Sequence, residues 1–218
     1  MTKEMLSDGN KKYRYRKDIR VLTWGLPPIS TCPGAGLCKA FCYARAGRML
    51  MGSATTAMAR RFKQSKRADF VAMMVNELSR RKCDMVRLHD SGDFYGIWYL
   101  DKWCQIALKF PDKVFFAYTK MVQLIKPLIA EGSIPANLRI IYSMGGKWDN
   151  RIDIKKDNHA QVFETKADMV RAGYSESKDN LPASFHGVKK EGFVYHGVKA
   201  WSTCMKSADA LGLSRTGK

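Results

Sequence analysis

Four short runs rich in β-branched and aromatic residues recur along the chain: IRVLTWG (19–25), DMVRLH (84–89), KVFFAYTK (113–120) and LRIIYSM (138–144). Between them the apolar spacing lengthens to a helical period. A helix is expected over 55–82, where Val71, Met74, Val75 and Leu78 repeat at i, i+3, i+4 and i+7. A second is expected over 96–109, with Tyr99, Trp103, Ile106 and Phe110 on one face. MVQLIKPLIAEG (121–132) is a third, which Pro127 should bend or split. Strand and helix in alternation commit a chain to βαβ units, a parallel sheet and right-handed crossovers. The expected class is therefore α/β, and ligands in such folds sit at the carboxyl ends of the strands.

That edge gathers the unusual residues. TCPGAGLCKAFC follows the first strand, HDSGDF the second, YTK ends the third and SMGGKWD the fourth. Residues 1–18 read as a basic N-terminal arm and 19–218 as a single domain. Residues 150–192 are polar and weakly periodic, and GFVYHGVKAWSTC (192–204) reads as one or two closing strands.

Cys32, Cys38 and Cys42 place three thiols on one glycine-containing loop. The N-terminus has no apolar signal region and no run approaches a membrane span, so a cytoplasmic setting with reduced thiols and no membrane partner is expected. Clustered thiols there point to a metal or to catalysis. Three thiolates from one loop suit three irons of a [4Fe–4S] cluster, the fourth iron staying open. Structural zinc, closed by Cys204 or His89, is the alternative metal, and three unrelated core thiols the plainest reading. Cys204 as a fourth ligand would close a cluster to chemistry. Cys83 and Cys104 read as core.

Arg87, His89, Asp90 and Asp93 crowd the second motif. Arg87 and His89 alternate onto one strand face, where a cation and an imidazole need partners. Asp90 or Asp93 would accept a hydrogen bond from a cofactor ammonium, with Ser91 and Gly92 forming the turn; a plain ion pair and turn is the simpler account. Gly145 and Gly146 let backbone approach a ligand, and Lys147 would meet its carboxylate or phosphate.

The net charge is +18, and residues 1–82 carry 18 Lys/Arg against 5 Asp/Glu. Such a balance favours a nucleic-acid partner over plain solubility. Lys11, Lys12, Arg14 and Arg16 on the arm, and Arg60, Arg61, Lys63, Lys66 and Arg67 on the first helix, are the expected phosphate contacts, with Tyr13 and Tyr15 available to stack on bases.

The loop after strand one, with Phe41 just before Cys42, resembles that of the radical S-adenosylmethionine superfamily, whose usual spacing is C-x3-C-x-aromatic-C. The spacing here is five and three, and the acidic turn is SGD where that superfamily carries a Gly-Gly-Glu-Pro-like turn. CPGAGLCKAFCYA, RLHDSGDFY, Trp103 and FFAYTK, in order over about residues 20–145, resemble the phage family called gene product eighty-eight. The resemblance implies a partial (β/α) barrel of radical S-adenosylmethionine type with a polar C-terminal extension. It further implies S-adenosylmethionine at the open iron, contacted from the Asp90–Asp93 turn; the charge makes nucleic acid or nucleotide the favoured substrate class. A non-catalytic iron–sulfur or zinc protein binding nucleic acid, its metal site closed by Cys204, is the second reading.

Overall fold

All four expected strands form: Val21–Trp24 (β1), Met85–Leu88 (β2), Val114–Thr119 (β3) and Leu138–Ser143 (β4). The structure, a computed structural model, describes residues 4–9, 13, 18–176, 190–195 and 201–210. Three further strands are His159–Phe163 (β5), Ser175–Glu176 (β6) and Lys190–Val194 (β7). The helices are Gly52–Ser65 (α1), Phe70–Arg80 (α2), Ile97–Lys109 (α3), Val122–Ala130 (α4), Lys166–Arg171 (α5) and Trp201–Ala210 (α6). Every strand pairing is parallel, in the order β1-β2-β3-β4-β5-β7-β6. The α/β class with a parallel sheet is thus correct. The sheet is open, with β1 and β6 as its edges.

From β1 to β5 each strand is added on the same side of the last, so right-handed crossovers place their helices on one face. The packing agrees. Leu22 and Trp24 of β1, Val86 and Leu88 of β2, and Phe115 and Ala117 of β3 join Phe70, Met74, Tyr99, Trp103 and Ile125 from the helices. Trp24, Phe70 and Trp103 interlock there, with ring centroids 5.4–5.8 Å apart. The opposite face carries Val21, Met85, Phe116, Ile141 and Ala160, with Tyr118 and Phe193 against them. Period-two alternation sorts β2 accordingly, sending Arg87 to this second face.

The single helix expected over 55–82 is two helices. The buried face of α1 runs Met58, Arg61, Ser65, and that of α2 runs Phe70, Met74, Glu77, Leu78. Five positions separate Ser65 from Phe70, which no continuous helical face spans. The chain therefore breaks at the exposed residues 66–69 and restarts with Phe70 inward. Pro127 lies inside α4 without splitting it. The expected closing strands over 192–204 resolve into β7 and then α6, because Trp201 and Cys204 recur at helical spacing and only Cys204 is fully buried.

Residues 4–9, within the stretch read as a basic arm, pack along β1. Ser7 pairs antiparallel with Thr23. Met5 and Leu6 are buried, and their N–H groups donate to Glu77 at 2.6 and 2.7 Å. Tyr13, expected to meet bases, is buried against Val21 and Phe116 on the second sheet face. Its ring has left solvent because an apolar surface was waiting for it.

Candidate functional site

The thiol loop leaves β1 and folds back over the strand ends in three short 3₁₀ turns, Leu37–Lys39, Tyr43–Arg45 and Gly47–Leu50. It is held from three sides. Leu26 N–H donates to Ser91 carbonyl at 2.8 Å and Asp93 N–H to Thr31 carbonyl at 3.1 Å, fastening it to the loop after β2. Tyr43 donates its hydroxyl to the Asp90 carbonyl. On the β4 side, Gly36 and Cys38 donate to Gly145 carbonyl at 3.2 and 3.0 Å, and Lys147 N–H returns a bond to Gly34 at 2.9 Å. Gly34 rests on the end of β3, where a Cβ would lie 2.6 Å from the Lys120 carbonyl oxygen.

Cys32, Cys38 and Cys42 are all half-buried, and none forms a disulfide. Burial pushes the Cys32 thiol up to about 12, with the Asp93 charge adding to it and with Cys38 and Cys42 near enough to contribute. Burial also raises Cys38, against the pull of Lys120. Each thiol therefore sits within electrostatic reach of the other two. Among the described residues no three His, Cys, Asp or Glu side chains converge as ligands of a single ion.

Several expected cofactor contacts serve the scaffold. Asp93 is buried and accepts from Thr119 Oγ1 at 2.6 Å, Phe94 N–H at 2.7 Å and Lys120 N–H at 2.8 Å, which ties β2 to β3 beneath Cys32. Asp90 is half-buried beside Gly25, where it accepts from Thr23 and from Ser91 N–H, and loss of water holds it above the usual carboxylate range. Ser91 is buried, and Gly92, at φ 86°, presses against Leu26 and Thr31. Gly145 and Gly146 face the thiol loop and donate to Asp149 at 2.7 and 2.9 Å. Lys147 contributes its backbone to that joint and exposes its side chain.

His89, expected to face a substrate, turns away from the loop. Its φ of 59° breaks the strand alternation and sends the ring into the helix layer. There it lies 4.5 Å edge-on from Phe94 and shares a 3.1 Å hydrogen bond with Tyr99 Oη. Burial lowers it to about 3, so it stays neutral at physiological pH. Cys204 lies on α6 with its thiol 3.3 Å from Tyr195 Oη. Phe41 closes an aromatic trio with Trp201 at 5.1 Å and Tyr195 at 6.4 Å, docking α6 against the loop. Cys83 and Cys104 are buried, as expected of core thiols.

Of the expected basic face on the first helix, Arg61 is buried and Arg60 half-buried, while Lys63, Lys66 and Arg67 are exposed. Arg61 is buried under residues 4–9, donating to Met5 carbonyl at 2.7 Å and Ser7 Oγ at 2.5 Å. Arg60 donates to Glu4 carbonyl at 2.8 Å. Arg67 makes a two-pronged pair with Asp69 at 2.7 Å. Lys66 covers the Phe62 ring at 3.9 Å, and Lys63 is exposed. Lys11, Lys12, Arg14 and Arg16 lie outside the described residues. Arg45 and Arg48, which the sequence places next to the thiols, are exposed and Lys39 is half-buried, and none of the three forms an ion pair among the described residues. A local signal exists, since no Asp or Glu occurs between Asp18 and Asp69. Sequence reasoning misses Asp149 and Lys120, whose ammonium donates to Ser143 and Met144 at 2.6–3.0 Å.

A cysteine loop on β1, locked to the acidic turn after β2 and the glycine pair after β4, agrees with a sequence-family match over almost the whole chain. The profile of gene product 88 aligns with residues 2–210. The chain belongs to the gene product 88 family. No curated protein and no solved structure matches it. The gene product 88 match takes in every loop of the site and reaches the end of α6.

Proposed function

We propose that this member of the gene product 88 family is an iron–sulfur protein whose [4Fe–4S] cluster is held by Cys32, Cys38 and Cys42. The observation that carries the proposal is the gathering of three half-buried thiols from one loop at the strand-end edge of a parallel sheet. The donor set fits the group. Thiolates are the ligands that iron–sulfur clusters take. Burial holds Cys32 and Cys38 toward the thiol form, and metal binding would release their protons. Such a cluster supplies one-electron chemistry and, with S-adenosylmethionine at an open iron, radical chemistry.

The chain's own residues would shape that site. Lys120, fixed by three acceptors, sets a positive charge beside Cys38. Phe41 and Trp201 cover the loop with apolar surface, which limits water and tunes a cluster's potential. Arg45 and Arg48 at the exposed rim, and the net charge of +18, support nucleic acid or a nucleotide as substrate. The parallel sheet is open, and helices packed on one face of β1–β4 are what a partial barrel would carry there.

The test is anaerobic purification of the full chain, with iron and acid-labile sulfide counted per chain. Iron and sulfide in equal amounts, with visible thiolate-to-iron absorbance lost in Cys32→Ala, is the expected result. Colourless protein, with or without zinc, overturns the proposal. Reduction with dithionite in the presence of S-adenosylmethionine then reads the radical chemistry: 5′-deoxyadenosine is expected, and its absence removes that part alone. Cys204→Ala should leave the iron content unchanged.

A further inference from the structure

The sheet face opposite the helices contains a half-buried guanidinium that makes no direct ion pair among the described residues. Arg87 reaches that face because Val86 and Leu88 on either side of it enter the helix layer. Its cross-strand neighbours are Thr23 on β1 and Phe116 on β3. Of its five N–H donors, the structure accounts for one: Nη1 donates to Tyr13 Oη at 3.3 Å. Nε is sealed from solvent and has no acceptor among the described residues. The guanidinium lies 5.5 Å from the centre of the Tyr118 ring. Arg87 makes no ion pair with any described carboxylate. The two acidic groups in the neighbourhood are already engaged, Asp90 with Thr23 and Ser91 N–H, and Glu191 with Tyr118 Oη at 2.7 Å.

A half-buried guanidinium that feels the Asp90 charge without a direct bond to it is only partly compensated for the water it has lost. Aromatic rings recover only part of that loss. A planar fork of free donors has the shape that recognises phosphate or carboxylate through two parallel hydrogen bonds. The surroundings suit a ligand and not a strut, because Tyr13 and Tyr118 flank the charge with aromatic surface while Nε has no acceptor among the described residues. The site also faces the thiol loop: the Tyr43 hydroxyl lies within electrostatic reach of Arg87 on one side and of Cys42 and Cys32 on the other.

We infer that Arg87 anchors an oxyanion-binding site on the sheet face opposite the helices, which takes the phosphate or carboxylate group of a small ligand whose other end points toward the thiol loop. Tyr13 and Tyr118 wall the site, and Thr23 lies beside its floor. Its chemistry is the same whether or not the thiols carry iron.

The test uses the full chain and two probes, inorganic phosphate and acetate, each compared with sodium chloride at equal ionic strength. A saturable rise in Tm of roughly 3–6 °C is expected at a tenfold excess over Kd. A rise with phosphate identifies a phosphate ligand, and a rise with acetate alone identifies a carboxylate. Arg87→Met should abolish the rise. Lys63→Met, at an exposed lysine, should keep it. Should Arg87→Met fail to fold, phenylglyoxal labelling of the wild type provides the readout. The anion should slow modification of Arg87 roughly tenfold at a tenfold excess over Kd. No saturable rise with either anion, an unchanged rise in Arg87→Met, or unprotected Arg87 overturns the inference. Iron content is counted on the same samples, so failure of this site and failure of the iron–sulfur reading are told apart.

Discussion

Gly34→Ala tests whether the thiol loop is held by contact with the strand ends. The new Cβ would lie 2.6 Å from the Lys120 carbonyl oxygen and 2.9 Å from its carbon. To reach 3.4 Å, the edge of ordinary contact, loop and strand must part by about 0.8 Å. Lys120 has little freedom to retreat, because its N–H is bonded to Asp93 at 2.8 Å and its ammonium to Ser143 and Met144. The loop must move instead, which strains the 2.9 Å bond from Lys147 N–H to Gly34. Overpacking of this kind costs about 1–3 kcal/mol, and the weakened hydrogen bond adds about 0.5–1.5 kcal/mol. The sum of about 1.5–4.5 kcal/mol corresponds to a Tm lowered by roughly 3–18 °C in a chain of this length. Urea and thermal unfolding measure it, with Gly52→Ala as the matched control. Gly52 has nothing within 4 Å of its would-be Cβ and lies in a helix, so alanine there should be neutral or stabilising by up to about 1 kcal/mol. Gly34→Ala within about 0.5 kcal/mol of the wild type, the range of an ordinary surface change, would refute the reasoning.

Glu77→Ala should strip two buried N–H groups, Met5 and Leu6, of their acceptor and cost about 2–5 kcal/mol; urea unfolding and faster amide exchange over residues 5–8 report it. His89 gives a pH signature. Its folded pKa, lowered by burial to about 3, lies below the unfolded 6.5, so its contribution is fully present above pH 6.5 and is lost as pH falls toward 3. The slope is at most about 1.4 kcal/mol per pH unit, and it should flatten in His89→Asn, which tolerates the positive φ. For nucleic acid, Arg45→Gln and Arg48→Gln should each weaken the salt dependence of binding, by about 0.9 for every phosphate left without its cation. Arg61→Gln should lower stability and leave that slope unchanged; a slope unaffected by Arg45 and Arg48 would remove the loop rim as the contact surface.

Local patterns are legible in the sequence because they are set by neighbours along the chain. Strands β1 to β4 announce themselves through β-branched and aromatic residues bounded by turn residues. Their alternation with helices is enough to give a parallel sheet and to bring the thiol loop, the SGD turn and the GGK turn to one edge. The paired role of Gly145 and Gly146 is half visible. Their composition announces a close backbone approach, and a ligand is the expected partner. The partner is the thiol loop itself, and a glycine pair carries no mark of what will lie against it.

Side-chain direction is decided only by the tertiary structure. Arg60, Arg61, Lys63, Lys66 and Arg67 read as one basic face, yet docking of residues 4–9 draws Arg60 and Arg61 inward and leaves Lys63 and Lys66 outside. His89 and Arg87 share strand parity in the sequence, but a single left-handed residue sends the imidazole to the helix layer and leaves the guanidinium on the other face. The 55–82 helix breaks because Phe70 gains more by burial than a continuous backbone gains by hydrogen bonding. A sequence records which residues are able to carry charge, bind metal or turn the chain. Burial then settles which of them keep water, which find a partner, and which, like Arg87, make no direct ion pair among the described residues.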